Sequence, residues 1–151
     1  MNDERGVSPV VGYVLTLGIS TLLVSGLLIA AGGFVDDQRE RTSRSELRII
    51  GQQVSADIAA ADRLNRTDGA AQVRITQSIP ERVVGSQYTV AVRADGNGPT
   101  DPYLELTTAR PEVTVAVGVT NQTNVVESSV SGGEIEVAYN STAGGLEVSN
   151  A

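Results

Sequence analysis

Carboxylates supply most of the side chains in this sequence that could carry out acid–base chemistry, because the chain contains no histidine and no cysteine. It therefore lacks the usual general base, the thiol nucleophile and the common zinc ligands. Four acidic residues lie close together among arginines, at Asp36, Asp37, Glu40 and Glu46. Paired carboxylates can act as general acid and base, but this pattern is also typical of a solvated helix face. We favour the helix face and predict that the protein is not an enzyme.

A second group, Asp95, Asn97 and Asp101, offers oxygen ligands of the kind that calcium binds. Its spacing lacks the rest of an EF-hand loop, including the terminal glutamate. Asp, Asn and Gly also favour tight turns, and we interpret Asp95 to Pro99 as a turn. No glycine-rich loop follows a predicted strand and opens a helix. We therefore predict no metal ion and no cofactor.

Charge limits the partners further. All eleven basic residues are arginine, eighteen residues are acidic, and the net charge is −7. Phosphate binding needs clustered positive charge, so we expect no nucleic acid partner. An acidic surface without lysine suits high salt and suggests a halophilic source, although nucleotide composition alone could also produce arginine in place of lysine. Three Asn-x-Ser/Thr sequences, at Asn65, Asn121 and Asn140, are candidate glycosylation sites on predicted loops, although such triplets also arise by chance.

An uncharged, largely apolar run from Gly6 to Val35 dominates the N-terminal region. At about 1.5 Å per residue, a helix of this length crosses the hydrocarbon core of a bilayer. Ser8 is a suitable N-cap and Pro9 suits the first helical position, so we predict that the helix begins at Pro9. The sequence therefore predicts a single transmembrane segment and a membrane lipid environment.

Small residues recur along this segment at four-residue spacing. Such residues allow another helix to approach closely, although they are also common in membrane helices generally. We predict that they form a helix-packing surface. The candidate packing residues are Gly12, Thr16, Ser20 and Gly26, with Thr21 and Ser25, and Gly26 and Ala30, as further pairs.

Beyond Val35 the composition changes, and an amphipathic helix is predicted for residues 36–66. Its apolar residues recur at three- and four-residue steps, which is the stripe of a helix packed on a partner or on its own domain. Glycines at positions 32, 33 and 51 could mark a bend. The stripe consists of Leu47, Ile50, Val54, Ile58 and Ala61.

From residue 70 onward the periodicity changes to two, which indicates strands with one buried face. Turn sequences separate these segments, so we predict a small antiparallel β-rich head over residues 70–151. A head of this size without Phe or Trp needs the stem helix to complete its core. The overall prediction is an α+β fold. The predicted strands are 72–76, 88–93, 103–107, 113–117 and 134–139.

At the N-terminus a short polar segment ends in Arg5-Gly6. The sequence Val7-Ser8-Pro9-Val10-Val11-Gly12 follows and opens the apolar run. Over about its first thirty-five residues the chain resembles archaeal type IV pilins and pilin-like proteins. The resemblance implies that residues 1–6 are a leader, which a prepilin peptidase removes between Gly6 and Val7 after recognising Arg5. It also implies that residues 7–35 form the transmembrane and assembly helix.

The resemblance further implies that the partners are other pilin-like subunits in a surface filament for adhesion, motility or secretion. Bacterial pilins generally carry a glutamate near the mature N-terminus, whereas this chain has Val11 there, so its assembly must depend on apolar packing. The many glycines of the helix favour a minor subunit. Positive charge after the apolar run would place the head in the cytoplasm, but the pilin resemblance requires it outside, and we favour the outside.

The alternative is an unprocessed, single-pass anchor that carries an extracellular binding domain. It predicts that the leader stays attached and that no filament forms.

Overall fold

The computed structural model describes residues 4–68 and 73–151. It divides the chain into two compact units, an N-terminal unit that ends at Gln38 and a C-terminal unit, Arg39–Ala151. One helix, α1 (Glu4–Asp68), contributes to both units. The predicted beginning of the head at residues 70–72 lies outside the described residues.

Seven strands follow α1 in the described part of the chain, and all pair antiparallel. A three-stranded sheet has the order β1-β6-β7, and a four-stranded sheet has the order β4-β3-β2-β5. The α+β prediction, with a small antiparallel head, is confirmed. The strands are β1 (Arg74–Ser78), β2 (Tyr88–Arg93), β3 (Tyr103–Ala109), β4 (Glu112–Gly118), β5 (Ser128–Ser131), β6 (Glu134–Asn140) and β7 (Gly145–Asn150).

The helix start predicted from Ser8 and Pro9 is wrong. α1 begins at Glu4, and Pro9 lies inside it. Proline removes the hydrogen bond to the carbonyl of Arg5, and its ring crowds the same carbonyl. Both effects are confined to the first two turns of a 65-residue helix.

The predicted apolar stripe of the stem helix is confirmed, because all five of its residues are at most 4% exposed. They belong to one core cluster with the inward side chains of both sheets, among them Leu104, Leu106, Ile135 and Leu146. The helix from Arg39 onward is thus part of the same compact unit as the strands. It supplies the apolar area that the small head needs.

Gly51 allows close contact between α1 and the inner face of the four-stranded sheet. A Cβ atom at this position would lie 2.7 Å from Val117 Cγ2 and 2.8 Å from Leu106 Cδ1. The helix continues through Gly51, so this glycine marks a packing contact and not an end of the helix. One turn later, the Ser55 hydroxyl donates a hydrogen bond of 2.9 Å to the carbonyl of Gly118.

The chain passes from one sheet to the other at Gly132, between β5 and β6. A Cβ at Gly132 would lie 2.4 Å from the carbonyl oxygen of Pro80, so only glycine fits. The side chain of Asn150, at the end of β7, donates to the carbonyl of Ser131 at 3.1 Å and accepts from its N–H at 3.3 Å. These bonds join the edges of the two sheets.

Two strands were missed by the periodicity argument. β5 has a single apolar residue, Val130, and β7 begins at Gly145, which the sequence pattern assigns to a turn. β5 pairs with the distant strand β2, whereas β7 forms a hairpin with the preceding strand, β6. The first predicted strand corresponds to β1, which begins at Arg74, and its predicted first residue, 72, lies outside the described residues.

Candidate functional site

The apolar segment of α1 from Pro9 to Val35 is a long surface that the described part of the chain leaves uncovered. All fifteen of its large apolar side chains are exposed, from 46% at Val35 to 78% at Ile29. These side chains point in every direction around the helix, and the segment carries no charged residue. Within the described residues, α1 is the one helix that is long and apolar enough to span a membrane.

Hydroxyl groups within this segment bond to the helix itself. Thr16 Oγ1 donates to the carbonyl oxygen of Gly12 at 2.9 Å, and Thr21 Oγ1 donates to that of Leu17 at 2.8 Å. A hydroxyl without a partner is costly to transfer into hydrocarbon. These two threonines therefore suit a lipid or helix-packed environment without needing an external hydrogen-bond partner.

The predicted packing residues Gly12, Thr16 and Ser20 lie along one face of the helix, because a four-residue step advances about 400° around the axis. All three are exposed, as is Gly26. A Cβ built on Gly12 or Gly26 would meet no atom within 4 Å, in contrast to Gly51. The described part of this chain therefore gives no steric reason for glycine at these positions.

Gly18 is a further small residue of this segment that the four-residue pattern did not include. Together with Val14, Leu15 and Leu22 it lines an open groove of about 460 Å³. Gly18 lies two residues from Thr16, about 200° around the helix. The small-residue ridge (Gly12, Thr16 and Ser20) and the Gly18 groove therefore occupy opposite faces of the apolar segment. Gly18 could have been found in the sequence by considering every glycine of the segment, and not only those at four-residue spacing.

The proposed leader-cleavage residues Arg5, Gly6 and Val7 lie in the first turns of α1. Their side chains are outside the described residues, so the structure gives no geometry for recognition by a peptidase. Processing between Gly6 and Val7 stays a prediction from the sequence.

The acidic residues after the apolar segment lie on the exposed surface of α1. Glu40 forms an ion pair of 2.9 Å with Arg44, one turn further along the helix, and both side chains are about half exposed. This geometry agrees with a solvated helix face. No three His, Cys, Asp or Glu side chains among the described residues are grouped to hold a metal ion.

Asp95 closes a turn. Its Oδ1 accepts a hydrogen bond of 3.0 Å from the N–H of Asn97, and its Oδ2 accepts one of 3.3 Å from the hydroxyl of Tyr103. The bond from Asn97 is the main reason why the pKa of Asp95 lies below its usual value. The geometry matches an Asx-turn, which agrees with the interpretation of this segment as a turn.

The three candidate glycosylation sites were expected on loops, but only Asn121 lies on one. Asn65 lies in the last turns of α1, and Asn140 is the final residue of β6. The Asn121 amide donates to the carbonyl of Thr123 at 2.7 Å, and the Asn140 amide donates to Glu147 Oε2 at 2.6 Å. Helix and strand pairing set these positions, which sequence triplets alone do not reveal.

Asp62 fixes the loop after β4 to α1, a role that the sequence did not indicate. This side chain is 4% exposed and lies 3.3 Å from Arg66. Its two oxygens accept hydrogen bonds from the N–H groups of Gln122 at 3.2 Å and Thr123 at 2.7 Å. Burial acts to raise the pKa of Asp62, but the hydrogen bonds from Thr123 and Gln122, together with the charge of Arg66, hold it below its usual value.

A family model described as "Family of unknown function (DUF7266)" matches residues 2–150. The chain belongs to this family. No curated protein and no solved structure matches it.

The family match extends over α1 and all seven described strands. The matched residues therefore include both the apolar segment and the β-rich head.

Proposed function

We propose that this protein is a pilin-like subunit, of the minor type, whose apolar helix first spans a membrane and then packs into a surface filament. The observation that carries the proposal is the exposed apolar segment Pro9–Val35. Burying a large apolar side chain contributes about 1.5–3 kcal/mol, so leaving fifteen of them in water would be very unfavourable. Lipid or the helices of other subunits must cover them.

The opposite placement of the small-residue ridge and the Gly18 groove supports packing between subunits. Both faces carry small residues, so a neighbouring helix can approach closely on either side. When one face of a copy meets the opposite face of the next copy the contact is heterologous, and repeated heterologous contacts build open helical filaments. A simple anchor has no need of two such faces. The C-terminal unit completes its core with its own stretch of α1, so that the apolar segment remains available to partners.

The processing part of the proposal rests on the N-terminal sequence. Removal of residues 1–6 by a prepilin peptidase would leave the apolar helix at the mature N-terminus, with the head outside the cell. Intact-mass measurement of native surface material tests this directly. We expect a mass that corresponds to a chain starting at Val7, and a Gly6→Leu variant that retains its leader.

Gly32→Leu is the matched control for Gly6→Leu, because it adds the same side chain to the same helix away from the cut. It should be processed normally. A full-length mass for the wild-type protein would favour the alternative, an unprocessed anchor with an extracellular binding domain.

Disulfide crosslinking tests the assembly part. The chain has no cysteine, so any disulfide between copies must form between the introduced cysteines. We expect crosslinks between copies that carry Thr16→Cys and copies that carry Gly18→Cys when the two are co-expressed. Thr16→Cys alone should crosslink poorly. Crosslinks confined to the Thr16→Cys protein alone would indicate a symmetric dimer, and their complete absence would indicate a monomeric anchor.

Orientation is tested with a single cysteine in the head. Ser129 is exposed on β5, and a Ser129→Cys variant should react with a membrane-impermeant maleimide on intact cells. Labelling only after lysis would place the head in the cytoplasm and contradict the proposal.

A further inference from the structure

The outer face of the four-stranded sheet carries a row of hydroxyl groups that crosses every strand. Thr107 on β3 is opposite both Thr114 on β4 and Thr89 on β2, and Thr89 is in turn opposite Ser131 on β5. Directly opposed residues of antiparallel strands share one face of a sheet. We call Thr114, Thr107, Thr89 and Ser131 the hydroxyl row.

The hydroxyl row lies on the face away from the helix. Leu106 and Val117, with the opposite alternation on β3 and β4, contact α1 at Gly51. Thr89, Thr114 and Ser131 are exposed, and Thr107 is half-buried. The row is therefore accessible to a ligand from solution.

A groove of about 580 Å³ lies at one end of this face. Thr89, Thr107 and Ser131 of the hydroxyl row line it, together with Gln87, Glu112 and Ala109. This volume is within the range of small-molecule sites. The lining offers hydroxyl, amide and carboxylate groups.

The polar groups of the groove are largely unused within the protein. Among the described residues, the side chains of Gln87, Thr89 and Glu112 make no hydrogen bond to another protein group. Thr107 Oγ1 has only a contact of 3.4 Å with Thr114 Oγ1. Further along the same face Arg93 and Glu105 pair with each other at 3.2 Å, so the unused polar groups are those at the groove.

The chemistry of the lining restricts the ligand. Hydroxyl and amide groups both donate and accept hydrogen bonds, and the Glu112 carboxylate accepts. Glu112 and the net charge of −7 oppose anionic ligands such as nucleic acids or acidic polysaccharides. The ring of Tyr88, which also borders the groove, belongs to a residue only 3% exposed, so the site offers no open aromatic surface.

An uncharged, polyhydroxylated ligand satisfies these conditions. Neighbouring strands are about 4.7–4.9 Å apart, so the hydroxyl row repeats at a spacing comparable to the size of one sugar ring. We propose that the groove and the hydroxyl row bind a neutral carbohydrate chain. This binding activity belongs to the head and is independent of the proposed assembly of the apolar helix.

NMR titration of the full-length chain tests the proposal. The protein is labelled at threonine methyl groups and held in a detergent without a sugar headgroup, so that the detergent does not compete. Neutral oligosaccharides of glucose, mannose and N-acetylglucosamine are added separately. We expect saturable shifts at Thr89 and Thr107 for at least one of them, with a dissociation constant of about 1 mM, because no aromatic ring stacks on the sugar.

The variant Thr107→Val keeps the shape of the side chain and removes its hydroxyl, so it should weaken binding about tenfold. Thr76→Val on the exposed face of the three-stranded sheet is the matched control and should bind like the wild type. Glu112→Gln provides a second variant that does not alter the packing of the sheet. It should weaken neutral binding and reduce the discrimination against an acidic oligosaccharide.

The proposal is overturned if none of the neutral sugars gives saturable shifts, or if Thr107→Val and Glu112→Gln both bind as well as the wild type. Tighter binding of an acidic oligosaccharide would also overturn it. The titration measures sugar binding to the head alone, so a failure of the apolar helix to assemble into filaments does not affect its outcome.

Discussion

Replacing Asp62 with asparagine tests whether one buried carboxylate fixes the loop after β4 to α1. The wild-type side chain accepts two backbone hydrogen bonds, from Gln122 at 3.2 Å and Thr123 at 2.7 Å. It also pairs with Arg66 at 3.3 Å while being 4% exposed itself. Asparagine has nearly the same shape, so the substitution changes charge and acceptor capacity with little effect on packing.

The expected loss follows from these contacts. Asparagine keeps one acceptor oxygen, so one of the two backbone N–H groups would face an NH2 group. A hydrogen bond to a charged group contributes about 1.5–3 kcal/mol. Arg66 is 43% exposed, so its ion pair adds only about 0–1 kcal/mol after solvent screening. We expect Asp62→Asn to lower the free energy of unfolding by about 2–3 kcal/mol.

Thermal unfolding of the full-length chain in detergent micelles measures this loss. Near-UV circular dichroism of tyrosine is suitable, because three of the four tyrosines, Tyr88, Tyr103 and Tyr139, lie in the C-terminal unit. A loss of this size corresponds to a decrease in Tm of roughly 10–20 °C for a domain of about 100 residues. Arg66→Gln is the control and should lower Tm by no more than about 5 °C. If Asp62→Asn melts within about 2 °C of the wild type, the reasoning is refuted.

The pH dependence provides a second test of the same contact. The pKa of Asp62 is lower in the folded protein than the ordinary value of 3.8. Between the folded and the unfolded pKa the unfolded chain binds more protons, so stability decreases as the pH falls through this range. The advantage of the wild type over Asp62→Asn should be constant near neutral pH and should shrink only below about pH 4.

Three further substitutions test other features of the C-terminal unit by the same melting assay. Asp57 has a buried oxygen without a hydrogen-bond partner in the described chain, and burial raises its pKa. Asp57→Asn should therefore stabilise the protein at pH 7 by about 1 kcal/mol, and this gain should decrease as the pH falls. A lower Tm at pH 7 would contradict this. Gly51→Ala should destabilise the C-terminal unit by about 1–3 kcal/mol despite the better helix propensity of alanine, because the new Cβ would overlap Val117 and Leu106. An unchanged Tm would show that the sheet relaxes to accommodate the Cβ. Val84, in the tight turn between Val83 and Ser86, has a φ of 48°, a value that a β-branched residue rarely adopts. Val84→Asn should therefore stabilise the protein by about 1 kcal/mol. A decrease in Tm would refute the assigned strain.

Periodicity predicted the elements that have a strong local pattern. The stripe from Leu47 to Ala61 was identified correctly because every third or fourth residue is apolar and faces the core. Alternation likewise identified β2, β3, β4 and β6. β5 was missed because Ser128, Ser129 and Ser131 carry no apolar signal. That strand forms because β2 offers it a pairing edge.

The candidate sites divide in the same way. A run of apolar residues without charge is visible in any sequence, so the exposed segment Pro9–Val35 could be predicted. Asp62 could not, because its partners Gln122 and Thr123 lie about sixty residues away and are brought to it only by the fold. The same is true of the hydroxyl row, since Thr89 and Ser131 become neighbours only through the register between β2 and β5.

The sequence by itself determined the membrane-length helix, the amphipathic stem and the change to β structure, because hydrophobic length and period are properties of consecutive residues. Only the tertiary structure decided the strand order, the attachment of the β4 loop to α1 and the hydroxyl face. These features depend on contacts between residues that are distant in the chain. Which distant segments come together is set by burial of a shared core and by pairing of backbone hydrogen bonds, and no local pattern encodes that choice.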